Sequence, residues 1–345
     1  MEKVKLLLNG LVSDQSTQIL TKSKIKAVAS RLEFSESASN MILLAASEIM
    51  TNQLKYSLGA GIVQIWEHKK PDHCLDIFGY DMGPGIKNIS KAMVDGFSTS
   101  NTLGHGLGTI MRASDIFEIY TKTTKKDNKD IWKGTAVWCR FYPKKNQAPK
   151  AYPKTGVFIR ALNDDIYNGD FINFEFNDNN LVWLHIDGVG HGKNASLSGV
   201  IANKIPIGKL EPEKTIADLN KNLYGKKMAN GVSIFLDNSG NFLYSGCGNV
   251  LIKILSPEGK QKSVLLKNRT LGEADMQMKS YRGKIDPGNL IMTISDGISQ
   301  SFDFSHYPGL LTKHPQMTAY LLGNLFSRRN DDKSLFIVKH DKEQI

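Results

Sequence analysis

From residue 36 to residue 57 the chain reads ESASNMILLAASEIMTNQLKYS, and Met41, Leu44, Ala45 and Ile49 return at helical spacing. That period predicts an amphipathic helix. The segments GIVQIWEH and CLDIFGYD instead alternate between apolar and polar positions, as two neighbouring strands do. IFEIYTKT and TAVWCRFY look like two more strands, and a helix-like apolar run follows GHGLG. Helices mixed with an antiparallel-looking sheet predict a two-layer sandwich for this half of the chain.

The pattern breaks at residues 143–154, PKKNQAPKAYPK. Proline lacks a donor and restricts its neighbours, so this segment suits neither a helix nor a central strand and reads as a linker. It separates a region 1–142 from a region 155–345. In the second region GVFIRAL, LVWLHID, GVSIFLD, NFLYSGC, VLIKILS, SVLLK, LIMTISDG and SLFIVKH read as strands. Helices are expected near 193–204, 213–224 and 314–327. Many strands with few helices predict two sheets packed face to face and flanked by helices. The fold class is therefore α/β (α+β) in both halves, with no internal repeat.

Composition narrows the setting. A chain of 345 residues, 41% hydrophobic and 23% charged, is globular and long enough for two domains. No apolar run approaches the ~20 residues that span a bilayer. The N-terminus MEKVKLLLNGLVSD does not read as a signal peptide. Three scattered cysteines, Cys74, Cys139 and Cys247, make a disulfide framework improbable, and a reducing cytoplasm is the expected location. The net charge of +10 comes from dispersed lysines with no aromatic–basic motif. The expectation is a solvated surface that favours an acidic protein partner, with neither nucleic acid nor membrane as partner. The oligomeric state has no signal.

Three features of the first half converge on a nucleotide. Glu48 and Asn52 stand four apart and share a helix face, offering hard oxygen donors to Mg²⁺. DMGPGI, Asp81 to Ile86, follows a strand, and its glycines let the backbone approach a flat ligand. Asp81 can accept from an exocyclic amine. Gly104, Gly106 and Gly108 precede a helix whose positive end suits phosphate. Each feature alone is more often a solvated face, a turn or a loop. Their order and spacing together argue otherwise.

Glu48-x-x-x-Asn52, Asp81-x-Gly83-x-Gly85 and Gly104-x-Gly106-x-Gly108 resemble the N, G1 and G2 boxes of the gyrase/Hsp90/histidine-kinase ATPases, whose fold is the Bergerat type. SEIMTNQLKYS, DMGPGI, DGFSTSNTLGHGLGTIMRASDIFEI and KGTAV are most similar to the small anti-sigma serine kinases, the stressosome switch kinases among them. The resemblance covers about residues 1–142. It implies that ATP and Mg²⁺ bind here, that Asn52 holds the ion and that Glu48 assists the attacking hydroxyl. It further implies that Asp81, with Gly83 and Gly85, reads adenine. Residues 98–108, including Ser98, Thr99, Gly104, Gly106, Leu107 and Gly108, would form a short lid over the phosphates. His105 stands where such kinases carry leucine, a change that a backbone grip tolerates. No dimerising helix with a phosphoacceptor histidine precedes Asn52, which disfavours a histidine kinase.

The second half carries NGD (168–170), HIDGVGHGKNA (185–195), TISDGIS (293–299) and NDDKSLFIV (330–338). Aspartates gathered at strand ends are costly unless they face water or bind cations. Oxygen ligands without cysteine or clustered histidine point to Mg²⁺ or Mn²⁺. One Asp-Gly pair is usually a turn, but three acidic strand ends are not so easily dismissed. The pattern resembles the metal-dependent PP2C phosphatases, in their sporulation and stress branch, over about residues 155–341. The resemblance implies two Mn²⁺ or Mg²⁺ ions held by Asp187, the Gly188 carbonyl, Asp296 and Asp331, with Asp170 nearby. Asp332 is the alternative to Asp331. His191 is either a proton donor or a structural residue.

Together the two resemblances imply a serine kinase and a phosphoserine phosphatase on one chain. Both would act on a STAS-domain regulator in a partner-switching pathway, within a sigma-factor network. Glu48, Asn52, Asp187 and Asp296 would carry the chemistry. The alternative is that only the phosphatase is catalytic and the first domain is a nucleotide- or partner-binding module.

Overall fold

The first two elements arise outside the periodic segments: strand β1 (Val4–Val12) and helix α1 (Gln15–Arg31). Asp14 starts α1 with a capping box, its side chain accepting from the Thr17 N–H while Thr17 Oγ1 accepts from the Asp14 N–H. The long helical period becomes α2 (Glu36–Tyr56), capped by Ser35. Its register differs from the expected one. Ile42, Ala45, Ala46, Ile49 and Met50 are buried, whereas Met41 and Leu44 are 44% and 41% exposed. The run MILLAA contains two overlapping apolar stripes, and packing on the sheet selects one of them.

Strands β2 (Gly61–His68) and β3 (Cys74–Tyr80) follow, then a single-turn α3 (Ile89–Ala92), α4 (Gly106–Ala113), β4 (Ile116–Lys122) and β5 (Gly134–Phe141). The sheet order is β1-β2-β3-β5-β4. Val63, Ile65, Leu75, Ile77, Val137 and Cys139 form its helix-facing side, packed in one core with Ile25, Ala29, Ile42 and Ile49. Inserting β5 beside β3 puts Tyr80 opposite Ala136, so the loop after β3 meets the start of β5.

The other side of this sheet carries a buried charge cluster. Arg140 donates to both carboxylate oxygens of Asp76, at 2.7 and 2.9 Å, and His68 Nε2 lies 3.1 Å from the same group. Burial raises the Asp76 pKa, but Arg140 and His68 more than offset it and hold the carboxyl well below its usual range. Burial lowers the His68 pKa, against the opposing pull of Asp76, with Arg140 lowering it further and Glu67 raising it. Both folded pKa values are depressed. The stability they carry is therefore present at neutral pH and lost on acidification, from below ~6.5 for His68 and below ~4 for Asp76. Replacing Arg140 by alanine takes the bidentate partner away from the buried Asp76. We expect a loss of about 3 kcal/mol in urea unfolding of this unit at pH 7. A loss below ~1 kcal/mol would show that the cluster is not a stabilising feature.

The structure is a computed structural model, described over residues 3–93, 106–123, 132–143, 153–177, 180–209, 211–274 and 276–341. Lys5–Pro149 forms one compact unit, and Lys150–Ile345 with Met1–Val4 forms the other. Residues 144–152 of the expected linker lie outside the described residues.

The second unit has two five-stranded sheets. One contains β7 (Asp170–Asn177), β8 (Asn180–Gly188), β9 (Ala229–Leu236), β10 (Asn241–Cys247) and β13 (Tyr281–Lys284), ordered β13-β10-β9-β8-β7. The other is ordered β12-β11-β14-β15-β6, with β6 (Thr155–Arg160), β11 (Leu251–Leu255), β12 (Gln261–Val264), β14 (Leu290–Ile294) and β15 (Lys333–Lys339). The helices are α5 (Gly192–Ala202), α6 (Pro212–Leu223) and α7 (Pro315–Leu325), within two residues of the expected bounds at each end. Strand β12 begins two residues before SVLLK and ends at Val264. Strands β7 and β13 are additional.

Strand β8 is buried on both faces. Val182, Leu184 and Ile186 join Ile216, Leu219 and Leu223 of α6 in one core. Trp183 points the other way, its ring 5.4 Å from that of Phe336 on β15. The two sheets thus pack face to face, and α7 lies on β6 and β15, with Gly323 directly against Phe158. This is the expected layering of helices, sheet, sheet and helix. All three cysteines are buried and free. Among the described residues no helix is long and apolar enough to cross a membrane.

Candidate active sites

In the first unit, α2 and the start of α4 bring the expected kinase residues together. Glu48 and Asn52 lie one helical turn apart on α2, both partly exposed. Gly106, the first residue of α4, sits against both of them. A methyl group built on it would lie 3.0 Å from Glu48 Oε2 and 3.4 Å from the Asn52 amide nitrogen. The first turn of α4 therefore lies beside the two polar side chains. Leu107 and Gly108 are buried along α4. Ser98, Thr99, Gly104 and His105, with most of the expected lid, lie outside the described residues.

Asp81 follows β3 and is 9% exposed. Its Oδ1 accepts from the N–H of Gly83 at 2.8 Å and of Thr135 at 3.1 Å. Trp132 Nε1 donates to the Asp81 carbonyl, and the Asp81 N–H donates to the carbonyl of Thr135. Burial raises the Asp81 pKa, while the two backbone donors pull it down. One carboxylate oxygen is thus pinned and the other is left as an oriented acceptor. Gly83 packs against the Tyr56 carbonyl, one turn beyond Asn52. Gly85 takes a left-handed conformation (φ 73°) against the Lys122 backbone, where a side chain would not fit. Thr135 and Trp132 are part of this arrangement. Thr135 lies in the KGTAV segment, and Trp132 directly precedes it.

In the second unit, Asp170 and Asp187 are direct cross-strand partners, at the start of β7 and near the end of β8. Asp296 follows β14 and Asp331 precedes β15, so the facing sheet supplies the other two acids. Burial is the main reason that the Asp187 pKa is pushed up to about 9, with the charges of Asp170, Asp296 and Asp331 adding to it. Burial likewise pushes Asp170 to about 7, against hydrogen bonds from Ser295 and Ser334 that lower it. Asp331 is raised by burial and then by Asp296, while His191 opposes the rise. His191 is exposed at the N-cap of α5. Asn249 donates to Asp296 Oδ2 at 2.6 Å.

The two neighbouring aspartates of NDDK have different surroundings. Asp332 is 2% exposed, and its two oxygens accept from the N–H groups of Leu162 and Gly169, at 2.8 and 2.9 Å. Each oxygen thus holds one loop, and its charge, like that of Asp331, helps to raise the Asp170 pKa. Asp331 is the one in the field of Asp296. Gly297 has no room for a side chain, because a Cβ would fall 1.7 Å from the Asp332 carbonyl oxygen. Its glycine therefore serves close packing as much as a turn.

The residues fit a divalent cation. The donors are hard oxygens. Asp187 Oδ2 is buried without a hydrogen-bond partner, an expense that a cation would offset. Among the described residues no three His, Cys, Asp or Glu side chains are preassembled around one point. The acids nonetheless lie close enough to raise one another's pKa values.

Comparison with known proteins adds a sequence relative. The chain is 37% identical over 118 residues to the serine/threonine-protein kinase RsbT of Bacillus subtilis, spanning 87% of that protein and 31% of this chain. The chain belongs to the RsbT family of serine/threonine-protein kinases. Its kinship with RsbT lies in the N-terminal part. A scan against models of known families finds no match. Solved structures similar to this chain include one from the bacterial stressosome, at 23% identity and TM-score 0.48, covering 54% of this chain and 98% of the other. RsbX in complex with magnesium aligns at 19% identity and TM-score 0.47, covering 53% of this chain and 92% of RsbX. A bacterial serine phosphatase aligns at 11% identity and TM-score 0.47, covering 56% of this chain and all of the other.

Proposed function

We propose that this member of the RsbT family is bifunctional, a serine kinase in residues 1–142 and a metal-dependent phosphoserine phosphatase in residues 155–345. The substrate of both is a STAS-domain regulator in a partner-switching pathway, working in the cytoplasm. The observation that carries the second activity is the meeting of Asp170, Asp187, Asp296 and Asp331 from two facing sheets in a unit separate from Glu48, Asn52 and Asp81.

In the kinase unit Asn52 would hold Mg²⁺ through its amide oxygen. Glu48, one turn earlier, orients the substrate hydroxyl and accepts its proton. The N-terminus of α4 supplies backbone N–H groups to the phosphates. In the phosphatase unit Asp187, the Gly188 carbonyl, Asp296 and Asp331 would hold two Mn²⁺ or Mg²⁺ ions, with Asp170 beside them. Such ions supply an activated water and neutralise phosphoryl charge. Asn249 and the Ser295–Ser334 pair keep the carboxylates oriented.

Adenine recognition gives a separate expectation. In Asp81→Asn, the amide oxygen can retain the bonds to Gly83 and Thr135. The free acceptor then becomes an N–H₂ donor facing the adenine amine. ATP affinity should fall about tenfold or more, and the preference over GTP should narrow. Equal ATP and GTP affinities in the wild type would remove Asp81 from the reading.

The proposal is tested by incubating the chain with a STAS-domain partner, Mn²⁺ and a limited amount of ATP–Mg²⁺, and following phosphoserine with time. A bifunctional chain produces a rise and then a decay once ATP is exhausted. A rise without decay would leave only the kinase, and no rise would leave the first unit a binding module.

A further inference from the structure

We infer that His185 is a positioning residue for the acidic site, acting through Ser334 on the carboxylate of Asp170. The inference rests on the reading of that site as a metal centre. His185 is fully buried between the two sheets, on the face of β8 that also carries Trp183. Its Nδ1 lies 2.9 Å from Thr293 Oγ1 and its Nε2 lies 2.7 Å from Ser334 Oγ. Ser334 Oγ in turn lies 2.7 Å from Asp170 Oδ2, and Ser295 Oγ reaches the same oxygen at 2.7 Å. Trp183 Nε1 closes the far end, 3.3 Å from Thr293 Oγ1.

The two ends fix the direction of every bond. An indole N–H can only donate, and Asp170, ionised when it faces a bound cation, can only accept. Ser334 has one hydroxyl hydrogen, and it goes to Asp170. The bond between Ser334 Oγ and His185 must then be donated by the imidazole, which places the ring hydrogen on Nε2. Nδ1 is left as an acceptor for the Thr293 hydroxyl, and Thr293 Oγ1 accepts from Trp183. The relay Trp183, Thr293, His185, Ser334, Asp170 uses one hydrogen per link and leaves none over. The Ser334 N–H also donates to Ser295 Oγ at 3.0 Å, which orients the second hydroxyl on Asp170.

A buried histidine that merely needed partners could be satisfied anywhere in the core. Here its donated hydrogen locks the rotor of the hydroxyl that holds an acid of the site. Both serine hydroxyls converge on Asp170 Oδ2, so Oδ1 is the oxygen offered to a cation. The relay crosses from β8 to β14 and β15 and returns to β7, tying together the two sheets that supply the acids. Partners of ligating carboxylates commonly affect metal affinity by about 10–100-fold.

The test is Mn²⁺ binding to the full chain without ATP, read from the electron paramagnetic resonance signal of free Mn²⁺. The part of the binding lost in Asp187→Asn defines the site. Ser334→Ala and His185→Leu should bind Mn²⁺ there about tenfold or more weakly. His185→Gln, whose amide can still donate towards Ser334, should recover most of the affinity. Thermal unfolding of the same samples supplies the control, because a purely structural histidine lowers the melting temperature without moving Mn²⁺ affinity. A folded His185→Leu with wild-type affinity overturns the inference. Should that variant not fold, wild-type affinity in Ser334→Ala overturns it equally. Absence of Mn²⁺ binding at Asp187 in the wild type would instead sink the metal reading itself, and the relay with it.

Discussion

Asn52→Ala is expected to lower phosphoryl transfer to a STAS-domain partner by about a hundredfold or more, the range seen when one preorganised polar group is lost from a transition-state site. Asn52 is partly exposed on α2, one turn after Glu48, with the first residue of α4 against both. Alanine is the better helix former, so α2 should keep its length and packing. The variant should therefore melt as the wild type does while losing transfer. Initial rates with labelled ATP measure it, and an undiminished rate would take Asn52 out of the mechanism.

Asp296→Asn is expected to lower Mn²⁺-dependent hydrolysis of phosphorylated STAS protein, or of p-nitrophenyl phosphate, by about a hundredfold. The change is isosteric, and the substituted amide can still accept from Asn249. What it removes is one negative charge from a cluster that already raises Asp187 and Asp331. In metal-free protein that removal relieves repulsion, so the melting temperature should stay level or rise. An activity loss with unchanged or improved stability is the signature of a ligand rather than a structural acid. Full phosphatase activity in this variant, or a loss of kinase activity instead, would undo the division of labour between the units.

Much of this architecture was legible in the order of residues, and the gaps have physical causes. The strands that alternate cleanly or run apolar, such as those at 61–68 and 333–339, are found where their patterns put them. Strand β13 is four mostly exposed residues held by pairing with β10, so no local pattern marks it. The face of α2 was ambiguous because the apolar run is wider than the stripe that packs. The bonds that Asp332 accepts come from the backbone N–H groups of Leu162 and Gly169, more than 160 residues away along the chain, so NDDK alone does not distinguish its two acids. A separation of 149 residues likewise hides the link from His185 to Ser334. Asp81 could be picked out from its glycines, but the N–H of Thr135 that pins it comes from a strand inserted late into the sheet.

If two opposed activities on one chain set the phosphoserine level of one substrate, that level should move in opposite directions when either is removed. The measurement is steady-state phosphoserine on a STAS-domain partner, at constant ATP–Mg²⁺ and Mn²⁺, for the wild type, Asn52→Ala and Asp296→Asn in parallel. The wild type should show an intermediate level, Asn52→Ala almost none and Asp296→Asn near-complete phosphorylation. Wild-type levels in Asp296→Asn, or a shift of both variants in the same direction, would contradict that expectation.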